Sequence, residues 1–131
     1  MLEEQCDRVL SAVHGLALRE VILLMHLERA DGGRLSRVDL AKRLNMSAST
    51  VTRMAQPLEK LGLVGRASDP RDARLTYVVL TAVGRSLEAV ARQTLERISE
   101  EVFADQWSVE EIALLGRLIG RLTAGQPGRI S

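Results

Sequence analysis

The sequence predicts a mainly α-helical single domain over residues 1–131 that carries one small β-hairpin. Apolar residues recur at helical spacing over most of the chain, and the β-branched, apolar stretch at 75–81 is the clear exception. The length of 131 residues suits one domain. Apolar residues make up 46% of the sequence, which is enough for a packed core.

The N-terminal segment, residues 1–30, predicts two helices. Apolar side chains at helical spacing predict an amphipathic helix over residues 2–13, which Gly15 interrupts. A second helix is expected over residues 18–30. Since this helix is apolar almost all round, we expect it to be central and buried, and the glycine pair Gly32-Gly33 ends it.

Residues 36–61 predict two short helices joined by a tight turn, which is a helix-turn-helix arrangement. Ser36 begins a capping-box pattern in which Asp39 replaces the usual glutamate, and the helix it starts stops at Asn45. Ser47 can cap the next helix, expected over residues 48–61. The face of this second helix that lies opposite its apolar stripe is polar and carries Ser49, Thr52, Arg53 and Gln56.

A β-hairpin is predicted directly after these helices, in the position of a wing. Its strands are expected at 64–67 and 75–81, around the polar turn 68–74. The order of elements therefore predicts a winged helix-turn-helix unit over about residues 34–81.

Two more helices are predicted after the hairpin. Thr81 can cap a long helix over residues 82–104, whose roughly 35 Å exceed what one small core requires. Ser108 and Glu111 form a capping box for the last helix, with Trp107 and Ile112 as its hydrophobic staple. We expect the tail from Gly125 to fray.

The helices outside the winged unit, at 1–30 and 82–124, have apolar stripes that need a partner. We expect the same helices of a second chain to supply it, in a two-fold symmetric homodimer. The predicted dimer-interface residues are Leu2, Val9, Leu10, Leu115, Leu118, Ile119 and Leu122. Gly116 and Gly120 would allow another helix to approach closely, although each costs about 1 kcal/mol relative to alanine in a helix.

Charge is distributed unevenly, although the formal net charge is only +1. Residues 34–74 contain nine basic and four acidic side chains, a net charge of +5, so the rest of the chain carries −4. A basic segment that coincides with a helix-turn-helix indicates a nucleic-acid-binding face, although an ordinary solvated surface could carry the same charges. The aromatic content of 2% argues against a stacking surface for RNA or single strands.

Several stretches, together with the order of elements, resemble the MarR (multiple antibiotic resistance regulator) family of bacterial winged-helix transcription factors. They are LAKRL at 40–44, SASTVTR at 47–53, LEKLGLV at 58–64, DAR at 72–74 and LT at 80–81. The resemblance covers about residues 16–122 and is most specific in the winged core. It implies a homodimer on double-stranded DNA, with each recognition helix in a major groove and each wing near a minor groove. For many members it implies release from DNA by a small-molecule effector bound between the dimer helices and the winged unit.

The recognition helix supplies the first set of predicted DNA contacts. Its N-terminal end presents free backbone N–H groups, and short polar side chains that suit phosphates or base edges surround it. These side chains are Ser47, Ser49, Thr50 and Thr52. Arg53 can reach a guanine edge or a phosphate, while Ser47 could serve only as the helix cap.

The wing and the supporting helix supply the remaining predicted contacts. In the family pattern, Arg74 matches the wing-tip arginine that enters the minor groove, and Asp72 matches the acid that holds the wing in shape. Arg71 is expected to contact a phosphate. Ser36 and Arg37, which start the supporting helix, are further candidates for contact with the DNA backbone.

Three features depart from the family pattern. Pro57 lies inside the recognition helix, where it removes one hydrogen bond and is expected to bend the helix after the base-reading residues. Ala17 stands where a serine or threonine cap is usual, so we expect the second helix to fray at its start. The first helix is short, which leaves its share of the dimer interface open.

Motifs for other chemistry are weak. The lone cysteine, Cys6, suits a reducing compartment, and its acidic neighbours disfavour the thiolate, so we expect an inert thiol. His14 and His26 lack a cluster of metal ligands around them, and no nucleophile or phosphate-loop motif is present. We therefore expect no catalytic or metal site and no cofactor. The sequence also predicts no secretory signal and no association with a membrane.

These patterns lead us to predict a cytoplasmic, homodimeric transcriptional repressor. It is expected to bind a pseudo-palindromic duplex site with half-sites about one helical turn apart. Two alternatives stay open: a winged-helix protein-interaction module without DNA binding, and a redox-sensing regulator that acts through Cys6.

Overall fold

The computed structural model describes residues 2–103 and 109–123, and within them it confirms a mainly helical fold with a small sheet. The main elements are α1 (Leu2–His14), α2 (Leu18–Arg29), β1 (Arg34–Ser36), α3 (Arg37–Leu44), α4 (Ala48–Lys60), β2 (Val64–Ser68), β3 (Thr76–Leu80), α5 (Ala82–Phe103) and α6 (Val109–Thr123). The predicted cap and staple at Trp107 and Ser108, and the tail from Gly125, lie outside the described residues.

Helix α2 lies at the centre of the molecule, as its nearly uniform apolar composition predicts. Val21, Leu23, Leu24 and Leu27 have no exposed surface. The helix packs against α1, α3, α5, α6 and the sheet, so it connects the winged unit to the outer helices. Burial of one such side chain contributes about 1.5–3 kcal/mol, so this helix contributes substantially to the stability of the core.

The start of α2 is capped by α1, although Ala17 offers no capping side chain. Asp7 of α1 accepts a hydrogen bond from the backbone N–H of Leu18 at 2.7 Å, and Glu20 accepts one from Ala17 at 2.9 Å. We expected fraying because Ala17 leaves the first N–H group of the helix without a cap. That premise does not hold, since a carboxylate from the neighbouring helix accepts a hydrogen bond from this N–H group.

The sheet has three antiparallel strands in the order β1-β3-β2, one strand more than the sequence predicts. Strand β1 comprises only three residues, too few to show an alternating pattern, and Leu35 pairs with Val78 of β3. Strand β1 therefore joins the base of the β2–β3 hairpin to the segment between α2 and α3.

The predicted caps of the helix-turn-helix are confirmed. The hydroxyl of Ser36 accepts a hydrogen bond from the N–H of Asp39, and that of Ser47 accepts one from the N–H of Thr50, both at 3.1 Å. Between the helices, Asn45 adopts a left-handed conformation with φ of 56°, which asparagine tolerates better than most residues. Helix α4 continues through Pro57 to Lys60 as one helix.

The junction between α4, β2 and α5 is compact. The hydroxyl of Thr81 lies 2.6 Å from the carbonyl oxygen of Gly62 and 2.9 Å from that of Leu63, and it accepts a hydrogen bond from the N–H of Gly84. A Cβ atom at Gly84 would overlap the carbonyl oxygen of Leu63. Thr81 thus caps α5, as predicted, and Gly84 allows α5 to approach the winged unit.

None of the described helices is by itself long and apolar enough to span a bilayer. Helices α1 and α2 reach the required length and apolarity only when taken together, and they meet at a bend of 78°.

Candidate nucleic-acid interface

The N-terminal end of α4 presents a group of hydroxyls to solvent. The Ser47 hydroxyl lies 3.1 Å from that of Ser49 and 2.8 Å from that of Thr50. Ser47 and Ser49 are exposed and Thr50 is partly exposed. Because Ser47 also caps the helix, the cap holds these hydroxyls around the positive end of the helix dipole, an arrangement that suits a phosphate.

Arg53 lies one turn along the same helix and is exposed. Its guanidinium donates one long hydrogen bond, of 3.4 Å, to the hydroxyl of Thr50. A contact of this length constrains the side chain weakly, so Arg53 is free to extend toward a base edge or a phosphate.

Thr52 is already engaged inside the protein. Its hydroxyl donates to the carbonyl of Ala48 at 3.0 Å and accepts a hydrogen bond from the guanidinium of Arg37 at 2.9 Å. A hydroxyl has a single proton to donate, so Thr52 has no donor left for DNA. Arg37, in turn, connects the start of α3 to α4 and positions the recognition helix.

Ser36 does not reach the surface that we expected it to occupy. Only 7% of the residue is exposed, and its hydroxyl caps α3. The hydroxyl is buried and engaged by the cap, which argues against a phosphate contact through this side chain. Contact of Ser36 with the DNA backbone stays a prediction. The supporting role of Ser36 is to fix the start of α3.

The wing turn is shaped by two carboxylates. Asp72 accepts hydrogen bonds from the backbone N–H and from Nε of Arg74, at 3.0 and 3.2 Å. Asp69 does the same for the backbone N–H of Arg71 at 2.7 Å. Arg71 is exposed, and the Arg74 side chain is 92% exposed, so the two acids order the turn while both guanidinium groups face solvent.

Sequence reasoning missed Asp69 and its partner Tyr77. The Tyr77 hydroxyl donates to Asp69 at 3.1 Å, and the guanidinium of Arg34 lies 4.8 Å from the centre of the Tyr77 ring. The N–H of Arg71 and then the Tyr77 hydroxyl lower the pKa of Asp69, while the bond to Asp69 raises the pKa of Tyr77. An Asp-Pro-Arg turn followed by a strand tyrosine was the available signal.

The residues predicted for a dimer interface fall into two groups. Leu118 and Ile119 of α6 are exposed, at 45% and 39%, while Leu115 and Val9 are partly buried. Leu10, in contrast, has no exposed surface because it packs into the core of its own chain, so it offers nothing to a second chain. The side chains of Leu2 and Leu122 lie outside the described part.

Cys6 and His26 are buried, whereas His14 is partly exposed. Cys6 is 5% exposed, and burial raises the pKa of its thiol. His14 lies 2.7 Å from the Thr94 hydroxyl, which joins α1 to α5. Burial, and then the positive charges of Arg43 and Arg29, lower the pKa of His26. Among the described residues, His, Cys, Asp and Glu side chains form no group that could hold a metal ion.

Comparison with known proteins places these features in one family. The MarR family model matches residues 14–75. YdgJ of Bacillus subtilis (strain 168), an uncharacterized HTH-type transcriptional regulator, is 35% identical over 85% of this chain and 66% of its own length. The HTH-type transcriptional repressor YetL of the same organism is 32% identical over 86% of this chain and 69% of its own. The chain thus spans about two thirds of the length of these relatives.

A solved structure shares the same architecture. Sco3205 of Streptomyces coelicolor, a MarR family transcriptional regulator crystallised in complex with DNA, superposes with a TM-score of 0.79 and 26% sequence identity. The match covers 95% of this chain and 78% of Sco3205. It includes both the winged unit and the outer helices.

Proposed function

The chain belongs to the MarR family of transcriptional regulators, and from this membership we propose that it is a homodimeric repressor of transcription. It binds a pseudo-palindromic site on double-stranded DNA in the cytoplasm, and a small-molecule effector releases it. DNA binding, dimerisation and effector release are each argued from a different part of the structure, and repression from a relative.

The observation that carries DNA binding is the pairing of an exposed, hydroxyl-rich α4 N-terminus with an ordered, arginine-bearing wing. Ser49, Arg53 and Arg74 are exposed. In the proposed complex Ser49 and Arg53 enter a major groove, and Arg74 enters the adjacent minor groove. The wing turn is ordered before DNA arrives, because Asp69 and Asp72 already bond its backbone. Less conformational entropy is then lost on binding.

Repression and dimerisation have separate support. The relative YetL is named a repressor, and a protein that occupies duplex DNA near a promoter blocks transcription by steric exclusion.

The exposed apolar side chains of α6 are the surface that a second chain would cover. A two-fold dimer would set two recognition helices about one helical turn of DNA apart.

An effector site is supported by a cavity between the outer helices and the helix-turn-helix. This cavity of about 460 Å³ is lined by α1 and α2 on one side and by the α3–α4 turn on the other. Its lining includes Arg19, Ile22, Arg43, Met46 and Thr50. A molecule bound there would contact the turn that positions α4, and could therefore shift the recognition helix.

Footprinting on genomic DNA tests the proposal. The purified chain is expected to protect short segments that contain two half-sites about one helical turn apart. Selection from a random duplex library should then return the same motif. If no duplex is enriched or protected, DNA binding is refuted and the protein-interaction alternative is favoured.

The redox alternative is tested with Cys6→Ser. Because Cys6 is buried and burial raises the pKa of its thiol, little thiolate is available to react with peroxide. We expect peroxide to leave the DNA affinity of both the variant and the unmodified chain unchanged in a gel-shift titration. Peroxide-triggered release that Cys6→Ser abolishes would establish Cys6 as the sensor instead.

A further inference from the structure

An acidic residue, Glu59, lies on the same stripe of α4 as the exposed Ser49, and the later part of this stripe faces the sheet. Counted from Ser49, the positions 52, 56 and 59 follow at offsets of 3, 7 and 10, so they share one helical face. A carboxylate on this face repels phosphates. In the free protein it is paired, since Nε of Arg66 on β2 lies 2.7 Å from Oε1 of Glu59.

The ion pair borders a cavity of about 210 Å³ between α4 and the sheet. Four residues that carry donor groups are among those that line it, Arg37, Gln56, Arg66 and Thr76, beside the apolar residues Ala55, Val64 and Val78. Nε of Arg37 is buried and has no hydrogen-bond partner among the described residues. With two cationic side chains against one carboxylate, the cavity suits an anionic group.

The path of a DNA strand past the winged unit identifies this anion, an argument that rests on the proposed function. A recognition helix in a major groove and a wing in the adjacent minor groove enclose one sugar-phosphate strand between them. The cavity lies between α4 and the hairpin strands, so in the proposed complex it is next to this strand of DNA. A backbone phosphate is therefore the anion that the geometry brings closest.

We propose that Arg66 is a phosphate contact that Glu59 holds in place until DNA binds. On binding, the guanidinium of Arg66 exchanges the carboxylate for a backbone phosphate. The exchange is feasible because the Arg66 side chain is 69% exposed, and exposed ion pairs are weak. Glu59, at 23% exposure, remains near the cavity and repels the incoming phosphate. The pair therefore lowers the affinity for duplex DNA of any sequence, because the phosphate backbone is the same in all of them.

The test compares Glu59→Gln with the double variant Glu59→Gln/Arg66→Gln. Neither protein carries the carboxylate, so the comparison isolates Arg66 without leaving an unpaired carboxylate. Affinity for a duplex selected from a random library is measured between 50 and 200 mM salt. We expect the double variant to have a salt slope lower by about one unit per subunit. The ratio of the affinity of Glu59→Gln to that of the double variant should accordingly fall about 3.5-fold per subunit between 50 and 200 mM salt.

Further variants separate the outcomes. Glu59→Gln alone should bind a random-sequence duplex more tightly than the unmodified chain does. Arg97→Gln, which removes an exposed arginine from α5, controls for net charge and should leave the slope unchanged. Equal slopes for the two main variants would overturn the Arg66 contact while DNA binding itself stands. If the unmodified chain selects no duplex, the proposed function and this contact fail together.

Discussion

Single carboxylates decide how the arginines of the wing are presented. Asp72 bonds both the backbone and the side chain of Arg74, so this guanidinium is held near the turn while it stays exposed. The acid was expected from the family pattern, whereas Asp69 was not. Asp69 bonds the backbone of Arg71 and also accepts a hydrogen bond from Tyr77, eight residues away. The bond to Tyr77 depends on the register of the strands, which sequence spacing alone does not give.

Replacement of Arg74 tests the minor-groove contact. Arg74→Ala is expected to weaken DNA binding and to lower the salt slope by about one unit per subunit, because one cation that displaces counterions is lost. The slope is obtained from affinity titrations at several salt concentrations. Arg8→Ala, which removes an exposed arginine from α1, provides the matched control. An unchanged slope and affinity would exclude Arg74 from the interface.

Tyr77→Phe tests whether the hydroxyl bonded to Asp69 orders the wing. The phenyl ring keeps its position under Arg34, but Asp69 loses one donor, so its lowered pKa should move back up toward 3.8. Since the pKa of Asp69 is lowered in the folded state, the ionised carboxylate stabilises the fold, and this stabilisation is complete at neutral pH. The stabilisation is lost as the pH falls below about 4. NMR titration of the Asp69 carboxyl measures the shift, and a gel-shift titration should show that DNA affinity drops several-fold. An unshifted pKa would refute the link.

At the scale of elements, the sequence predicts what depends on local chemistry. The caps at Ser36, Ser47 and Thr81 follow from residue type and spacing, and all three are confirmed. Strand β1 and the capping of α2 by Asp7 could not be predicted, because each depends on contacts with a distant segment. For the same reason, Thr52 reads as a DNA contact in the sequence although Arg37 engages it in the fold.

Gly84 is the glycine whose replacement should cost most at the element scale. A methyl group there would overlap the carbonyl oxygen of Leu63, and backbone cannot move aside cheaply. We expect Gly84→Ala to destabilise the fold by about 1–3 kcal/mol, as overpacked sites do. Urea denaturation measures the difference. Gly65→Ala on β2 is the control, since a Cβ there meets no atom within 4 Å. Equal stabilities for the two variants would refute the close approach.

At the scale of the whole molecule, the charge division and the burial pattern point to two functional regions. The basic segment 34–74 spans the helix-turn-helix and wing, while the acidic remainder comprises mainly α1, α2, α5 and α6. Fewer of the predicted dimer-interface residues are exposed to a second chain than helical spacing suggests. Leu10 is needed to close the core of a single chain, whereas α6 keeps Leu114, Leu118 and Ile119 exposed. Helical spacing identifies the apolar face of a helix, but only the fold determines which residues of that face already pack against their own chain.

Leu118→Glu tests the proposed dimer and, through it, the requirement for two half-sites. Leu118 is 45% exposed in the single chain, so a carboxylate there costs the monomer little, but it would be buried without a partner in a dimer. We expect sedimentation to show a folded monomer with unchanged helical circular dichroism. The monomer should bind a full site far more weakly, since it loses the gain from simultaneous contact with two half-sites. Val38→Glu is the matched control, because Val38 is 52% exposed but lies on α3. A dimer that survives Leu118→Glu would move the interface away from this face of α6.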